Sequence, residues 1–174
     1  MLIKEDVYRA LTEEGLGEST NVATSRRWPN GVVPYAINSN MPASGGRSIQ
    51  RAIKHFHENT NVRWVKRTSE SSYVEFTFGS INSSYVGRTG GKQRITLNAY
   101  WHGGTVLHEM GHCVGFYHEH QRPDRDQYVK IHKENIQKGV NIAVNFGKFS
   151  RTSGVAFGPF DTESIMMYLS LIHI

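Results

Sequence analysis

The chain has 174 residues, of which 38% are hydrophobic, and carries a formal net charge of +5. This length suits one globular domain, alone or with a short leader, and allows roughly 70% of the unfolded surface to be buried. The basic residues are scattered and no nucleic-acid motif accompanies them, so nucleic-acid binding is not predicted. No run of 18 apolar residues occurs, so a transmembrane helix is not predicted either.

Residues 1–24 have the character of a leader. A short helix is expected around residues 7–11, ahead of two glycines, and a polar stretch follows it. The first three residues are followed at once by charged ones, so the start shows no apolar core of a secretory signal peptide. We expect a main domain over residues 25–168.

Periodic apolar residues predict most elements between residues 32 and 97. The strand expected from Val32 to Ile37 contains Pro34, which suits the start of a strand or an edge strand. Apolar residues at helical spacing predict a helix over 46–59, on which His55 and His57 are expected to be solvated rather than metal-binding. Further short strands are predicted around 62–65, 74–78 and 95–97.

The segment from residue 108 to 118 has the spacing of a metal site. His108 and His112 are four residues apart, so on a helix they share one face and can bind one metal ion. Gly115 permits a sharp turn that can bring back His118 as a third ligand. Three imidazoles and an open position are typical of a catalytic zinc site. Glu109 lies next to His108 and suits a base that takes a proton from metal-bound water.

The single cysteine, Cys113, excludes an intrachain disulfide. It lies off the histidine face of the predicted helix over 105–115, where Leu107, Met110 and Val114 form an apolar face. A small buried hydrophobic residue is the expected role of Cys113, and a thiolate ligand is the minor alternative.

The segment over residues 108–126, H-E-M-G-H-C-V-G-F-Y-H-E-H-Q-R-P-D-R-D, resembles the signature of the astacin family of zinc endopeptidases. Residues 164–168, S-I-M-M-Y, resemble that family's Met-turn, except that Met167 stands where the family usually has His. Weaker similarity extends from about Trp28 to Tyr168. The resemblance implies an α+β zincin-like fold, with a twisted mixed sheet, an active-site helix and a C-terminal subdomain that is largely missing here.

The resemblance also implies particular roles for residues. His108, His112 and His118 would bind one Zn²⁺, and Glu109 would be the catalytic base. Tyr168 would be a displaceable zinc ligand that hydrogen-bonds the oxyanion, and Met166 would form a hydrophobic floor under the histidines. Glu119 would anchor the freed N-terminus of the mature enzyme, since the family is made as zymogens. Asp6 is a weak candidate for a blocking residue, and a surface acid is the favoured interpretation.

The region after His118 is predicted less firmly. Arg122, Asp124, Arg125 and Asp126 are expected to form a structural ion-pair cluster. A helix is expected near 132–145, followed by a loop over 147–162. Residues 169–174, L-S-L-I-H-I, match an in-frame translation of a transposase end sequence used to prepare DNA libraries. We therefore expect a non-native tail that supplies no ligand, and a domain of marginal stability.

Together these observations predict a zinc-dependent endopeptidase that cleaves proteins or peptides, with no nucleic-acid or membrane partner. Secretion is expected by resemblance, and the protein is expected to be a monomer. Residues 84–87, S-Y-V-G, resemble the family's edge strand beside the cleft, where an extended peptide could add as a strand. An ordinary edge strand with no role in binding is the alternative. Two alternatives are a different zinc hydrolase and a non-catalytic, zinc-stabilised binding domain. The Arg-Asp extension and the Met-turn argue against the first, and Glu109 argues against the second.

Overall fold

The computed structural model describes residues 26–99, 103–136, 138–139, 141–150, 156, 158–167 and 172–173. The predicted leader over 1–24, with Asp6, and the predicted ligand Tyr168 lie outside these residues. None of the helices formed by these residues combines the length and the hydropathy of a membrane span.

A five-stranded sheet forms the centre of the molecule. Its strands are β1 (Val32–Ile37), β2 (Arg63–Lys66), β3 (Tyr73–Phe78), β4 (Ser83–Ser84) and β5 (Lys92–Leu97). They lie in the order β2-β1-β3-β5-β4, and every neighbouring pair is parallel except β4 with β5. The predicted mixed sheet is therefore confirmed, with the antiparallel strand at one edge.

Helices and short irregular elements complete the described chain. The helices are α1 (Ala43–Asn59), α2 (Gly103–Val114) and α3 (Ile142–Phe146). Four 3₁₀ turns lie at Pro29–Gly31, Glu119–Gln121, Arg125–Gln127 and Lys133–Asn135. β6 (Lys130–Ile131) and β7 (Ile172–His173) form a separate antiparallel pair. This pair places residues near the C-terminus beside a segment that precedes them by about 40 positions in the sequence. This pairing does not test the predicted origin of the tail.

The core lies between the sheet and the two longer helices. β3 alternates buried and less buried residues, as its period-two pattern predicts, and buries Val74 and Phe76 completely. α1 presents Ile49 and Phe56 to the core from positions seven residues apart, two turns along one face. The predicted α+β architecture is confirmed, and the active-site helix α2 is anchored on this core.

Pro34 lies in an internal strand, not at a start or an edge. It is opposite Val65 of β2, whereas the pairing of β1 with β3 begins one residue later, at Tyr35. The missing N–H of Pro34 therefore costs no hydrogen bond to β3. Local register, which the sequence pattern does not reveal, explains how an internal strand accepts a proline.

The helix expected near 132–145 is wrong. Lys133–Asn135 is a 3₁₀ turn, Ile136 is extended, and Gly139 has a φ of 91°. α3 begins only at Ile142, where the side chain of Asn141 accepts a hydrogen bond from the N–H of Val144. The helical spacing of apolar residues here is produced by two short elements on either side of a left-handed glycine.

Two other predictions need small corrections or additions. The edge strand expected at 84–87 is the two-residue β4, because Gly87 turns away with a φ of 75° and donates its N–H to the carbonyl of His112. His57 is exposed as expected, but its Nε2 also accepts the N–H of Trp64 at 3.0 Å. Among the residues that the structure describes, neither His55 nor His57 belongs to a group of side chains that could bind a metal ion.

Candidate zinc and active site

Helix α2 carries the first two site histidines and is fixed on its opposite side. Val106, Met110 and Cys113 are completely buried in the core. The indole N–H of Trp28 donates to the carbonyl of Cys113 at 2.9 Å, which ties the helix end to the start of β1. Cys113 is a free, buried cysteine, and burial raises the pKa of its thiol. The predicted packing role is confirmed.

Gly115 makes the turn that the spacing predicts. Its φ is 121°, a left-handed conformation that favours glycine. The N–H groups of Gly115 and Phe116 both bond to the carbonyl of Gly111, at 3.2 and 3.0 Å, as expected at a helix C-terminus. The chain then reverses and places His118 opposite the helix.

The three histidines meet at one point. Nε2 of His118 lies 3.2 Å from Nε2 of His108 and 3.1 Å from Nε2 of His112. The other nitrogens of the helical pair face carbonyl oxygens: Nδ1 of His108 is 2.8 Å from Ile165 O, and Nδ1 of His112 is 2.7 Å from Phe116 O. A carbonyl only accepts, so both Nδ1 atoms carry the proton and both Nε2 lone pairs point at the common centre.

These distances and charges fit zinc. Two nitrogens bound tetrahedrally at about 2.0–2.1 Å from zinc are separated by about 3.3–3.4 Å, close to the separations here. Ligand imidazoles must also be neutral. Burial lowers the pKa of His108, that of His112 to about 4 and that of His118 to about 2, so neutral rings are favoured before any metal binds. Neighbouring imidazoles add to the shift of His112 and His118.

Glu109 lies beside the histidine cluster without being part of it. Its side chain is buried in the wall of the same cleft as the three histidines, but it is not part of the converging cluster. Burial raises the pKa of Glu109 to about 7, which is where a carboxylate accepts a proton most effectively at neutral pH.

The cleft around these groups has a volume of about 770 Å³. The edge strand β4, the start of α2 and the Met-turn region all contribute to its walls. Its lining residues are Ile81, Asn82, Ser83, Ser84, Asn98, Gly104, Thr105, His108, Glu109, His112, His118, Asn145, Ile165 and Met167.

The Met-turn lies directly under the helix. The N–H of Met167 bonds to the carbonyl of Ser164 at 2.9 Å, and the N–H of Glu119 bonds to the carbonyl of Met166 at 3.0 Å. A Cβ added to Gly111 would lie only 2.8 Å from Sδ of Met166, so helix and turn are in close contact. The buried Met166 thus occupies the position expected of a hydrophobic floor.

A model of one protein family matches residues 20–172, and it is described as astacin, a peptidase family. The chain belongs to the astacin family. Human Tolloid-like protein 2 is 42% identical over 154 residues, which cover 86% of this chain and 15% of the relative. Bone morphogenetic protein 1 of Xenopus laevis is 42% identical over 147 residues, which cover 82% of this chain and 20% of the relative. The chain thus spans less than a quarter of the length of these relatives.

A third relative and a solved structure agree with this assignment. Astacin-like metalloprotease toxin 1 of Loxosceles intermedia is 40% identical over 144 residues, which cover 81% of this chain and 53% of the toxin. High choriolytic enzyme 1, described as a hatching enzyme zinc-protease from Oryzias latipes, superposes with a TM-score of 0.74 at 34% identity. The match covers 84% of this chain and 74% of that structure. Zinc is accordingly the metal of this astacin site.

The Arg-Asp segment of the astacin motif forms the expected ion pairs. The guanidinium of Arg122 contacts Asp124 at 2.8 Å and Glu119 at 3.2 Å, and Arg125 contacts Asp126 at 3.1 Å. Arg122 is buried and also donates to the carbonyls of residues 158 and 159, which lead into the Met-turn. The cluster therefore joins the loop after His118 to the Met-turn.

Glu119 has partners other than the one predicted for it. Its Oε1 accepts the N–H of Asp161 at 3.0 Å in addition to the contact with Arg122. Burial raises the pKa of Glu119, while the N–H of Asp161 and the charge of Arg122 act in the opposite direction. The role of Glu119 as an anchor for a freed N-terminus stays a prediction, as does the role of Tyr168.

Two residues near the site have positions that the sequence patterns do not indicate. His120 is completely buried, and its ring stacks on that of His118. Asn145 lines the cleft, although it follows His118 by 27 positions in the printed sequence. The alternation of histidines at 118 and 120 is the only local signal for the first, and nothing local points to the second.

Proposed function

We propose that this chain is the catalytic domain of a zinc-dependent endopeptidase that hydrolyses internal peptide bonds of proteins. The observation that supports this most is the position of Glu109 in the wall of the open cleft in which three imidazole Nε2 atoms converge. A purely structural zinc site is closed by four protein ligands and has no use for a neighbouring base.

The residues of the site divide the chemistry between them. His108, His112 and His118 would bind zinc, which when bound supplies a Lewis acid and a water of lowered pKa. Hydrogen bonds from Nδ1 to the carbonyls of Ile165 and Phe116 keep two rings oriented. Glu109 accepts a proton from the attacking water and then donates it to the leaving amine.

The edge strand β4 is the proposed binding line for the substrate backbone. Ser83 and Ser84 line the cleft and pair with β5 on one side, antiparallel to it. An extended peptide added on the other side would pass the histidines and would keep its main chain hydrogen-bonded. Proteins and peptides with an accessible extended segment are therefore the expected substrates.

The remaining expectations form part of the same proposal. By resemblance, the protein is a secreted monomer, residues 1–24 are the end of a pro-segment, and Tyr168 hydrogen-bonds the oxyanion. No nucleic-acid or membrane partner is expected, because the basic residues are scattered and no run of 18 apolar residues occurs in the sequence.

The test is cleavage of a quenched fluorescent peptide by the zinc-loaded chain, with and without removal of residues 1–24. Glu109→Gln should keep stoichiometric zinc and lose roughly 10²–10⁴-fold in turnover, because only the base is removed. His112→Ala should lose zinc and activity together.

Glu58→Gln is the matched control, because Glu58 is an exposed helical glutamate whose partner is Lys54. It should behave like the parent protein. Parental turnover in Glu109→Gln would refute the assigned base, and equal zinc content in His112→Ala would refute the assigned ligand set.

A further inference from the structure

The short helix α3 is held at its end by side chains from the loop that carries His118. The last carbonyls of a helix have no partner within the helix. Here three consecutive ones are satisfied by the loop, since Gln121 donates to Val144 O at 3.1 Å and His120 donates to Asn145 O at 2.9 Å. Arg125 donates to the third of them, the carbonyl of residue 146, at 2.5 Å.

His120 is the central member of this group. Its ring lies almost parallel to the ring of His118, with centroids 5.1 Å apart and an interplanar angle of 17°. Phe146 packs on the same buried ring, at 5.6 Å between centroids. Arg125 also donates to the backbone carbonyl of His120 at 2.6 Å, so both the ring and the backbone of His120 are held.

The metal ligand His118 has a different backbone setting from the other two. His108 and His112 are on a regular helix, and each has its Nδ1 fixed by a carbonyl. His118 lies in extended backbone, with φ of −67° and ψ of 140°, where no helix orients the side chain, and its ring is hydrogen-bonded to Gln121 instead. A parallel ring that is itself completely buried restricts the plane of the His118 imidazole.

One side chain thus contacts both a metal ligand and the backbone of a cleft residue. Asn145, whose carbonyl accepts from His120, lines the cleft together with His118. A change in the position of His120 would therefore shift the ligand and this wall of the cleft together.

We propose that His120 is a positioning residue that holds in one arrangement His118 and the helix α3, which carries the cleft residue Asn145. Two chemical features carry the two functions: the planar ring orients His118, and the Nε2–H donor fixes the carbonyl of Asn145. The ligand part of the proposal concerns metal binding alone. The cleft part rests on the proposed peptidase function.

The experiment separates the two features with three variants of the full chain. His120→Phe keeps a planar ring and removes the donor, His120→Gln keeps a donor and removes the ring, and His120→Ala removes both. The zinc dissociation constant is measured by chelator competition, and the visible absorption spectrum of the cobalt-substituted protein reports ligand geometry. KM for the fluorescent peptide reports the cleft wall.

We expect His120→Ala and His120→Gln to weaken zinc binding by about 10–100-fold and to alter the cobalt spectrum, because partners of ligands affect affinity on that scale. His120→Phe should stay within about threefold of the parent in zinc affinity, while its KM rises. Ile49→Ala is the control for general destabilisation, since Ile49 is completely buried on α1. It should lower stability and leave the zinc affinity of the folded protein unchanged.

Several results would overturn the proposal. Parental zinc affinity and cobalt spectra in His120→Ala and His120→Gln would show that the ring does not orient His118. If Ile49→Ala lost as much zinc affinity as His120→Ala, the effect of His120 would be explained by packing alone. If the parent binds zinc but cleaves no peptide, the peptidase function fails while the metal measurements still decide the role of the ring. A parent that binds no zinc would refute both.

Discussion

The two halves of the described chain are stabilised by different means. From Trp28 to Val114 the interior is a continuous apolar cluster of the sheet, α1 and α2, with Val33, Ile49 and Phe76 completely buried. From His118 to Met167 the buried groups include the charged residues Arg122 and Arg125, which bond to backbone carbonyls and to carboxylates. The first half is held together by apolar packing. In the second half, hydrogen bonds and ion pairs of buried arginines fix the positions of the loops.

The difference teaches how this site is constructed. α2 belongs to the apolar half and carries His108 and His112, whereas His118 and the Met-turn belong to the polar half. The active site lies at the boundary, and the bond from His108 to the carbonyl of Ile165 crosses it over a separation of 57 residues. Substitutions in the apolar half should therefore lower the stability of the fold alone. Substitutions in the polar half should lower stability and also weaken zinc binding.

The strongest test on the apolar side is Phe76→Ala. Phe76 is completely buried between Tyr35 and Trp64, so truncation leaves a cavity and should lower the free energy of unfolding by about 4 kcal/mol. Urea denaturation measures this. Zinc affinity of the folded fraction should be unchanged. Phe78→Ala is the matched control, because Phe78 is in the same strand but 38% exposed, and it should cost less than about 1 kcal/mol. Similar losses in both variants would contradict the account of the apolar half.

The corresponding test on the polar side is Arg122→Met. The side chain of Arg122 is only 4% exposed, so removing its charge leaves the buried carboxylate of Glu119 without a counter-charge. The free energy of unfolding should fall by about 3 kcal/mol. Zinc affinity should fall too, since Arg122 joins the loop after His118 to the segment before the Met-turn.

A second substitution, Glu119→Gln, should restore part of the stability of Arg122→Met by removing the buried negative charge. Arg94→Met is the surface control, because Arg94 is 64% exposed in its pair with Glu75. It should change stability by no more than about 0.5 kcal/mol. Parental zinc affinity in Arg122→Met would contradict the proposed difference between the two halves.

Substituting one glycine in each of the two longer helices compares how tightly α2 and α1 are packed. These substitutions have the smallest expected effects on stability. An added methyl at Gly111 in α2 would meet Sδ of Met166 at 2.8 Å, so Gly111→Ala should cost about 1–3 kcal/mol and disturb zinc binding. At Gly46 in α1 nothing lies within 4 Å, and Gly46→Ala should stabilise by about 0.5–1 kcal/mol. Thermal unfolding of the two variants shows whether each substitution lowers or raises stability. A gain in stability for Gly111→Ala would show that the helix and the Met-turn are not in tight contact.

The sequence predicts the apolar half well because its signals are local. The alternation in β3 and the helical spacing in α1 each report burial on one face, and the burial is observed. α1 begins at Ala43, three positions before the predicted start, because no polar cap marks its first turn. The spacing of His108, His112 and His118 likewise predicts the convergence found here, since one helix and one turn bring them together.

What the sequence does not reveal depends on contacts between distant residues. The short helix α3, found in place of the end of the helix expected at 132–145, is held by side chains of Gln121, His120 and Arg125, which belong to an earlier loop. The buried role of His120 is hidden for a similar reason, because a packed histidine and a solvated one look alike in sequence. The carbonyl partner of His108 carries no side-chain signature at all.

The two-residue length of β4 has a consequence for self-association. A long, flat edge strand is a template on which copies of a chain can pair and aggregate. β4 offers only Ser83 and Ser84 at one edge of the sheet, and at the other edge β2 exposes Arg63 and Lys66. A brief polar edge and a charged edge both discourage sheet-to-sheet growth. The fold can therefore leave one strand open beside its cleft without presenting a long strand on which a second copy could pair.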